Sequence, residues 1–307
     1  IMYTEIHNIK YTKLYDWIPL DKLDWENLCV NPNAIPILEK NLDKLDKDCW
    51  YWLSSNPNAV HILEKNLVKV DWGEFSKNSN AIHILEKNLD KVNWYNLYLN
   101  PNAIHIIEQN LNKVDWKLLS LNPNAVRILE KNLDKVDWCG LSRNQNAIHI
   151  LEKNLYKVNW WALSRNPNAI HILEKNLDKV SWYYLSENPN AIHILEKNLD
   201  KVSWRGFSSH PNAIHILEKN MDKVSWYWLS INPNAIHILK KNLDKVVWHN
   251  LSQNPNIFTY DYEAIKTAMY TEGGFVEELM ANRFHPRNIQ KWNDWGFPIN
   301  FSNFNNE

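Results

Sequence analysis

The apolar residues of this chain recur on a fixed beat. Tryptophans stand at Trp25, Trp50, Trp72, Trp94, Trp116, Trp138, Trp160, Trp182, Trp204, Trp226 and Trp248. From Trp50 onward each step is 22 residues, and an insertion around Asp46–Cys49 stretches the first step to 25. The unit reads W-x-x-L-S-x-N-P-N-A-I-H-I-L-E-K-N-L-D-K-V-x. Ten complete copies run from Trp25 to Val247, and an eleventh starts at Trp248 and departs after Asn256. A short fixed period of this kind is the mark of a solenoid, in which each unit buries its apolar stripe only against its neighbours.

The copy from Asn188 to Ser203 predicts the local structure. Asn188 is an N-cap and Pro189 takes the first helical position, where the missing N–H costs nothing. A helix of about ten residues, Asn190–Leu199, follows. At 100° per residue it places Ala191, Ile192, Leu195 and Leu199 on one face, with Ile194 and Asn198 beside it and His193, Glu196 and Lys197 opposite. A second, shorter element begins after Asp115, Asn159, Ser181 or Ser203, again N-cap residues, and brings Trp182 and Leu185 to one side of a 3₁₀ or α turn. The fold class expected is all-α: an α-solenoid of ten to eleven repeats with helical caps, wound as one right-handed superhelix with a buried tryptophan column. The competing reading is a leucine-rich-repeat-like α/β horseshoe with a strand at Lys201-Val202-Ser203, although Phe207 stands where that motif wants Asn.

Three segments follow: residues 1–24 as an N-terminal cap, 25–256 as the solenoid, and 257–307 as a helical C-terminal cap. In the last, Tyr260–Tyr270, Phe275–Arg283 and a segment opening at Pro286 read as helices, and the final residues as frayed.

Composition narrows the chemistry. The 34 Lys and Arg balance 35 Asp and Glu, for a net charge of −1, which argues against nucleic acid. There is no apolar run of membrane-spanning length and no secretory leader in residues 1–20. Only 6 glycines occur, at spacings that match neither a phosphate loop nor a dinucleotide fingerprint. Cys29, Cys49 and Cys139 are scattered and odd in number, as expected of reduced thiols. No cofactor, metal or small-molecule substrate is expected.

Histidine recurs at His61, His83, His105, His149, His171, His193, His215 and His237. Helices packed 8–10 Å apart cannot bring two such residues to one metal ion, so the column reads as a solvated face with i,i+3 pairing to Glu. The serine that follows Leu in each unit, Ser230 for example, reads as a capping residue and not a nucleophile.

Three positions of the unit differ in almost every copy: the two after Trp and the one after Ser. They share an outward face rich in Tyr, Trp and Arg, the side chains enriched in binding hot spots. The candidate partner-binding residues are Tyr51, Trp52, Tyr95, Trp161, Tyr183, Tyr184, Tyr227 and Trp228, all expected to be exposed.

The repeat N-P-N-A-I-x-I-L-E-K-N-L-D-K-V-x-W, the entry Leu14-Tyr15-Asp16-Trp17-Ile18 and the C-terminal His285-Pro286-Arg287-Asn288-Ile289 together resemble uncharacterised repeat proteins of the giant nucleocytoplasmic DNA viruses, the mimivirus-like group. The 28 Lys against 6 Arg, with abundant Asn, agree with an AT-rich genome. That resemblance implies an origin, and a place in the infected host cell's cytoplasm or the virion, but brings no activity. The expected function is non-enzymatic: a protein-interaction module binding through the variable face. The alternative is a structural virion or assembly component. An enzyme is disfavoured, because residues 257–307 hold one His and no acid–base set.

Overall fold

The structure is a computed structural model that describes residues 11–111 and 114–270. The chain divides into two compact units, Leu14–Phe258 and a second made of Ile1–Lys13 with Thr259–Glu307.

The larger unit is an all-α solenoid. Each repeat carries two short helices. The Trp helix runs four to eight residues, as in Trp182–Leu185 or Lys47–Ser54. Asp24, Asp46, Asp71, Asn93, Asp115, Asp137 and Asn159 cap it through side-chain oxygens, whereas Ser181, Ser203, Ser225 and Val247 make no side-chain cap bond. Asn-Pro-Asn-Ala then forms a tight turn, and a His helix such as Ile192–Glu196 follows.

The His helix is half the length expected, for a reason visible in the next residues. Asn198 donates its side-chain Nδ2 to the Ile194 carbonyl at 2.9 Å, and the same i−4 bond recurs in each copy. That carbonyl is satisfied without a further helical N–H, so the chain turns away. Leu199 therefore leaves the core and is exposed, while Ile194, expected at the flank, is buried with Ala191 and Leu195. Leu185 and its equivalents are fully buried. No strand forms at Lys201-Val202-Ser203. Among the described residues the only strands are Thr12–Leu14 and Phe258–Tyr260, which pair.

Repeats are joined by a ladder of buried asparagines. Asn188 donates to the carbonyls of Ser164 and Asn166 in the preceding repeat, both at 3.0 Å, and accepts from the Asn190 N–H at 3.1 Å. Asn190 donates to the Pro167 carbonyl at 2.9 Å. Ser186 Oγ donates to the Trp182 carbonyl at 2.7 Å and accepts from the Ser203 N–H at 3.0 Å. Lys201 lies 4.9 Å above the Trp182 ring.

The same rungs join the last repeat to the first. Asp24 N–H donates to Ser252 Oγ at 2.8 Å. Asn31 donates to the carbonyls of Ser252 and Asn254, both at 2.9 Å, and Asn33 to that of Pro255 at 2.9 Å. Lys22 lies 4.9 Å above Trp248. The asparagine, serine and turn bonds that join neighbours within the array thus also join repeat 11 to repeat 1, and the unit closes into a ring of eleven repeats; the His–Glu pair does not recur there, because Pro36 stands at the histidine position. The expected superhelix with capped ends is replaced by this closure.

The eleventh repeat is assembled from both ends of the unit. Trp248–Leu251 and the turn to Ile257 supply its first half. Leu20–Lys22 and Leu23 stand in the places of Leu-Asp-Lys-Val in its second half. Tyr15 N–H donates to the Ile257 carbonyl at 3.2 Å, and Trp17 packs on Trp248 with ring centroids 6.5 Å apart. Residues 14–24 therefore complete a repeat instead of covering an open end.

In the other unit, Tyr262–Tyr270 is a helix, as the sequence suggested, and Asp261 Oδ1 accepts from the Ala264 N–H at 3.1 Å. Asp261 N–H donates to the Tyr11 carbonyl at 2.7 Å. The elements expected at Phe275–Arg283 and after Pro286 lie outside the described residues.

Candidate functional site

The Trp helix presents the variable face. Its N-cap fixes the first turn, so the residue after Trp points outward while Leu, two positions later, points into the core. Tyr51, Trp52, Tyr95, Trp161, Tyr183 and Tyr227 are exposed as expected, with Tyr95 at 60% and Trp161 at 57%. Tyr184 and Trp228 are not; both are half-buried. They occupy the second variable position, which tucks against the first variable residue of the preceding repeat. Tyr184 stands edge-on to Trp161 with centroids 4.5 Å apart and to Tyr183 at 5.0 Å, and the Arg165 guanidinium lies 5.3 Å above it. Trp228 is flanked by Tyr227 at 5.3 Å and covered by Arg205 at 5.5 Å.

The stagger between first and second variable positions recurs elsewhere with other chemistry. Asn96 donates to the Gly73 carbonyl at 2.8 Å and Asn250 to that of Tyr227 at 3.0 Å. Tyr51 donates to Glu74 at 3.0 Å, and Lys77 pairs with Glu74 at 2.7 Å. At the closure, Asn27 Nδ2 lies 3.0 Å from the ring nitrogens of His249, Gln253 donates to Asn27 Oδ1, and His249 faces Asp24 at 3.4 Å. The face thus mixes exposed rings with side chains that tie repeats together.

One cluster is built over a glycine. A Cβ on Gly206 would meet Glu187 Cγ at 2.8 Å, so the glycine clears the seat on which Glu187 lies. Glu187 pairs with Arg165 at 2.5 Å, which holds the guanidinium over Tyr184.

The tryptophan column is not buried as expected. Trp50 is buried, but Trp72 and the nine later-repeat and first-repeat equivalents are half-buried. The outer ring face is covered in most repeats by a lysine nitrogen at 4.7 to 5.5 Å. Lysine's methylene stem and ammonium do there what core atoms do elsewhere.

The histidine column pairs between repeats and not within a helix. His193 Nε2 meets Glu174 at 2.6 Å, and seven of the eight pairs lie at 2.5 to 2.9 Å, with His83–Glu64 at 4.0 Å. Each pair is about half exposed, so it adds little to stability. No three His, Cys, Asp or Glu residues converge as metal ligands among the described residues.

His210 stands where other repeats have the ladder asparagine. Its Nδ1 accepts from the Asn212 N–H at 3.1 Å and its Nε2 faces the Asn188 carbonyl at 2.9 Å, which selects the neutral ring with its proton on Nε2. Burial holds its pKa below the ordinary histidine value. Cys29 and Cys49 are buried against each other. Burial pushes both thiols up, Cys49 to about 11, so neither is poised as a nucleophile.

Sequence reasoning missed a second apolar row. Leu89, Leu111, Leu155, Leu177, Leu199 and Leu243 are exposed, because each follows the asparagine that ends the His helix. The Asn-Leu pair was the available signal. No helix among the described residues is long and apolar enough to cross a membrane. Comparison with family models, with curated proteins and with solved structures finds no match.

Proposed function

We propose that the ring is a non-enzymatic protein-interaction module that engages its partner through the variable face. The observation that carries this reading is the exposure of Tyr95, Trp161, Tyr183 and Tyr227 at positions that differ in almost every copy. Large exposed aromatics lose hydration cheaply and order with few rotatable bonds, which is why they anchor interfaces. Elsewhere the repeat spends its side chains on the ladder, the caps and the Lys–Trp covers. A ring without a free end also favours a discrete binding module over a component that polymerises end to end. On the resemblance to giant-virus repeat proteins, the partner is a protein of the host cell or of the virion.

The test compares the intact chain with a triple variant, Tyr95→Ala, Trp161→Ala and Tyr227→Ala, as baits in affinity capture. The reading expects equal melting of both proteins and a partner retained only by the unaltered chain. Retention of the same partners by both baits would overturn it.

A further inference from the structure

The variable face is not electrically uniform. In repeats 1–6 the residues capping the Trp helix are Asp24, Asp46, Asp71, Asn93, Asp115 and Asp137. In repeats 7–11 they are Asn159, Ser181, Ser203, Ser225 and Val247, with no carboxylate among them. These caps border the face: a Cβ on Gly73 would lie 3.0 Å from Asp71 Oδ1, and one on Gly140 3.1 Å from Asp137 Oδ2.

The face's own charges leave that difference in place: repeats 1–6 contribute Glu26, Glu74, Lys77, Lys117 and Arg143, the same net charge as the later set. Repeats 7–10 contribute Arg165, Glu187 and Arg205. Arginine is rare here, 6 residues against 28 Lys, yet Arg143, Arg165 and Arg205 all fall on this face. Arg165 is already paired with Glu187. Arg205 is exposed, has no carboxylate partner among the described residues, and has its guanidinium carbon 5.5 Å from the centroid of the Trp228 ring. A guanidinium over an indole with no carboxylate beside it still has its fork of N–H groups to offer, and that fork receives a carboxylate in bidentate fashion. Trp161, Tyr183 and Tyr227, in repeats 7, 8 and 10, are exposed on the same face.

Resting on the interaction reading above, we infer that the binding site proper is the sector of repeats 7–10, and that its occupant is an acidic peptide segment of the partner: a carboxylate seats on Arg205 and neighbouring apolar side chains lie on Trp161 and Tyr227. A nucleic acid fits less well. It carries a charge at each phosphate and is held by several cations, whereas this sector offers one unpaired arginine.

The probe is a displayed library of random 12-residue peptides, selected on the purified full chain. Single peptides are then measured by fluorescence anisotropy against Arg205→Ala, Arg205→Lys and Tyr95→Ala, each variant shown to melt like the parent. The inference expects enrichment in Asp and Glu, competition by poly-L-glutamate, and a loss of roughly tenfold or more in Arg205→Ala. Arg205→Lys restores little, because lysine lacks the fork, and Tyr95→Ala, outside the sector, costs less than Arg205→Ala. Peptides without acidic enrichment, or ones that ignore Arg205→Ala and are lost in Tyr95→Ala, overturn the sector assignment and leave the broader interaction reading standing. Selection of no peptide overturns both. Binding of a (dT)12 oligonucleotide through Arg205, with no peptide selected, overturns the peptide as occupant.

Discussion

At the scale of single residues, the asparagine of each turn does most to hold neighbours together. Asn188 satisfies two carbonyls of the preceding repeat and one N–H of its own turn while fully buried. Each such group left unpaired costs about 1–3 kcal/mol, so the ladder is specified by satisfaction of backbone more than by apolar area. His210 is the one departure from this rung among the described repeats, and it gives the ring a pH dependence. Its folded pKa lies below the ordinary 6.5 because burial disfavours the cation. The unfolded chain therefore binds this proton more readily. The contribution is complete above about pH 6.5 and is lost as pH falls from there through the depressed folded value. Chemical denaturation of the parent and of His210→Asn at pH 7.5 and 5.5 checks this. The parent is expected to lose more stability on acidification than the variant; the difference between them removes what the other histidines contribute. Equal losses would mean the ring at 210 is not held neutral.

At the scale of the element, the Trp helix divides its side chains sharply. Leu185 is fully buried, Trp182 half-buried under Lys201, and Tyr184 half-buried between Trp161 and Tyr183. Leu185→Ala leaves a closed cavity and is expected to cost about 3 kcal/mol. Trp182→Ala removes a half-buried side chain, so it should cost about 2 kcal/mol, less than a sealed core Trp. Tyr184→Ala should cost about 1 kcal/mol, mostly in ring–ring contact. Urea denaturation of the three variants checks the order, and a cost for Tyr184→Ala equal to that for Leu185→Ala would contradict it. The period, the Asn-Pro turn and the fully buried leucine were legible in the sequence because each follows from local chemistry. The helix end at Asn198 was not, since the bond from its side chain to the Ile194 carbonyl competes with a helix that periodicity alone would extend. Nor was the burial of Tyr184 and Trp228, which depends on the stagger between repeats and not on the angle within one helix. The exposure of the other six candidate residues was legible from that angle.

At the scale of the molecule, closure is the central result for the larger unit. A repeat in a solenoid is stabilised by both neighbours, and the end repeats of an open array lack one of them. In this ring Ser252, Asn254 and Pro255 meet Asp24, Asn31 and Asn33 through the bonds used everywhere else, so no repeat is terminal. Nothing in a 22-residue consensus announces this. The rotation per repeat is set by many small contacts, and only their sum decides whether eleven units meet. One clue did lie in the sequence: Leu20-Asp21-Lys22-Leu23 repeats the second half of the unit, and the array breaks off after the first half. The two half-repeats are complementary, and ring closure is what unites them. Spin labels on exposed Lys40 and Lys241, in a Cys139→Ser background where Cys29 and Cys49 remain buried, measure this directly. A second pair on Lys197 and Lys241 provides the standard, since those residues lie two repeats apart along the chain. Around the ring, repeat 10 and repeat 1 are also two steps apart. Closure predicts matching distance distributions for the two pairs, near ~20 Å at about 9 Å per step. An open array would put Lys40 and Lys241 nine steps apart, at about 80 Å if straight, and a long Lys40–Lys241 distance beside a short Lys197–Lys241 one would contradict the ring.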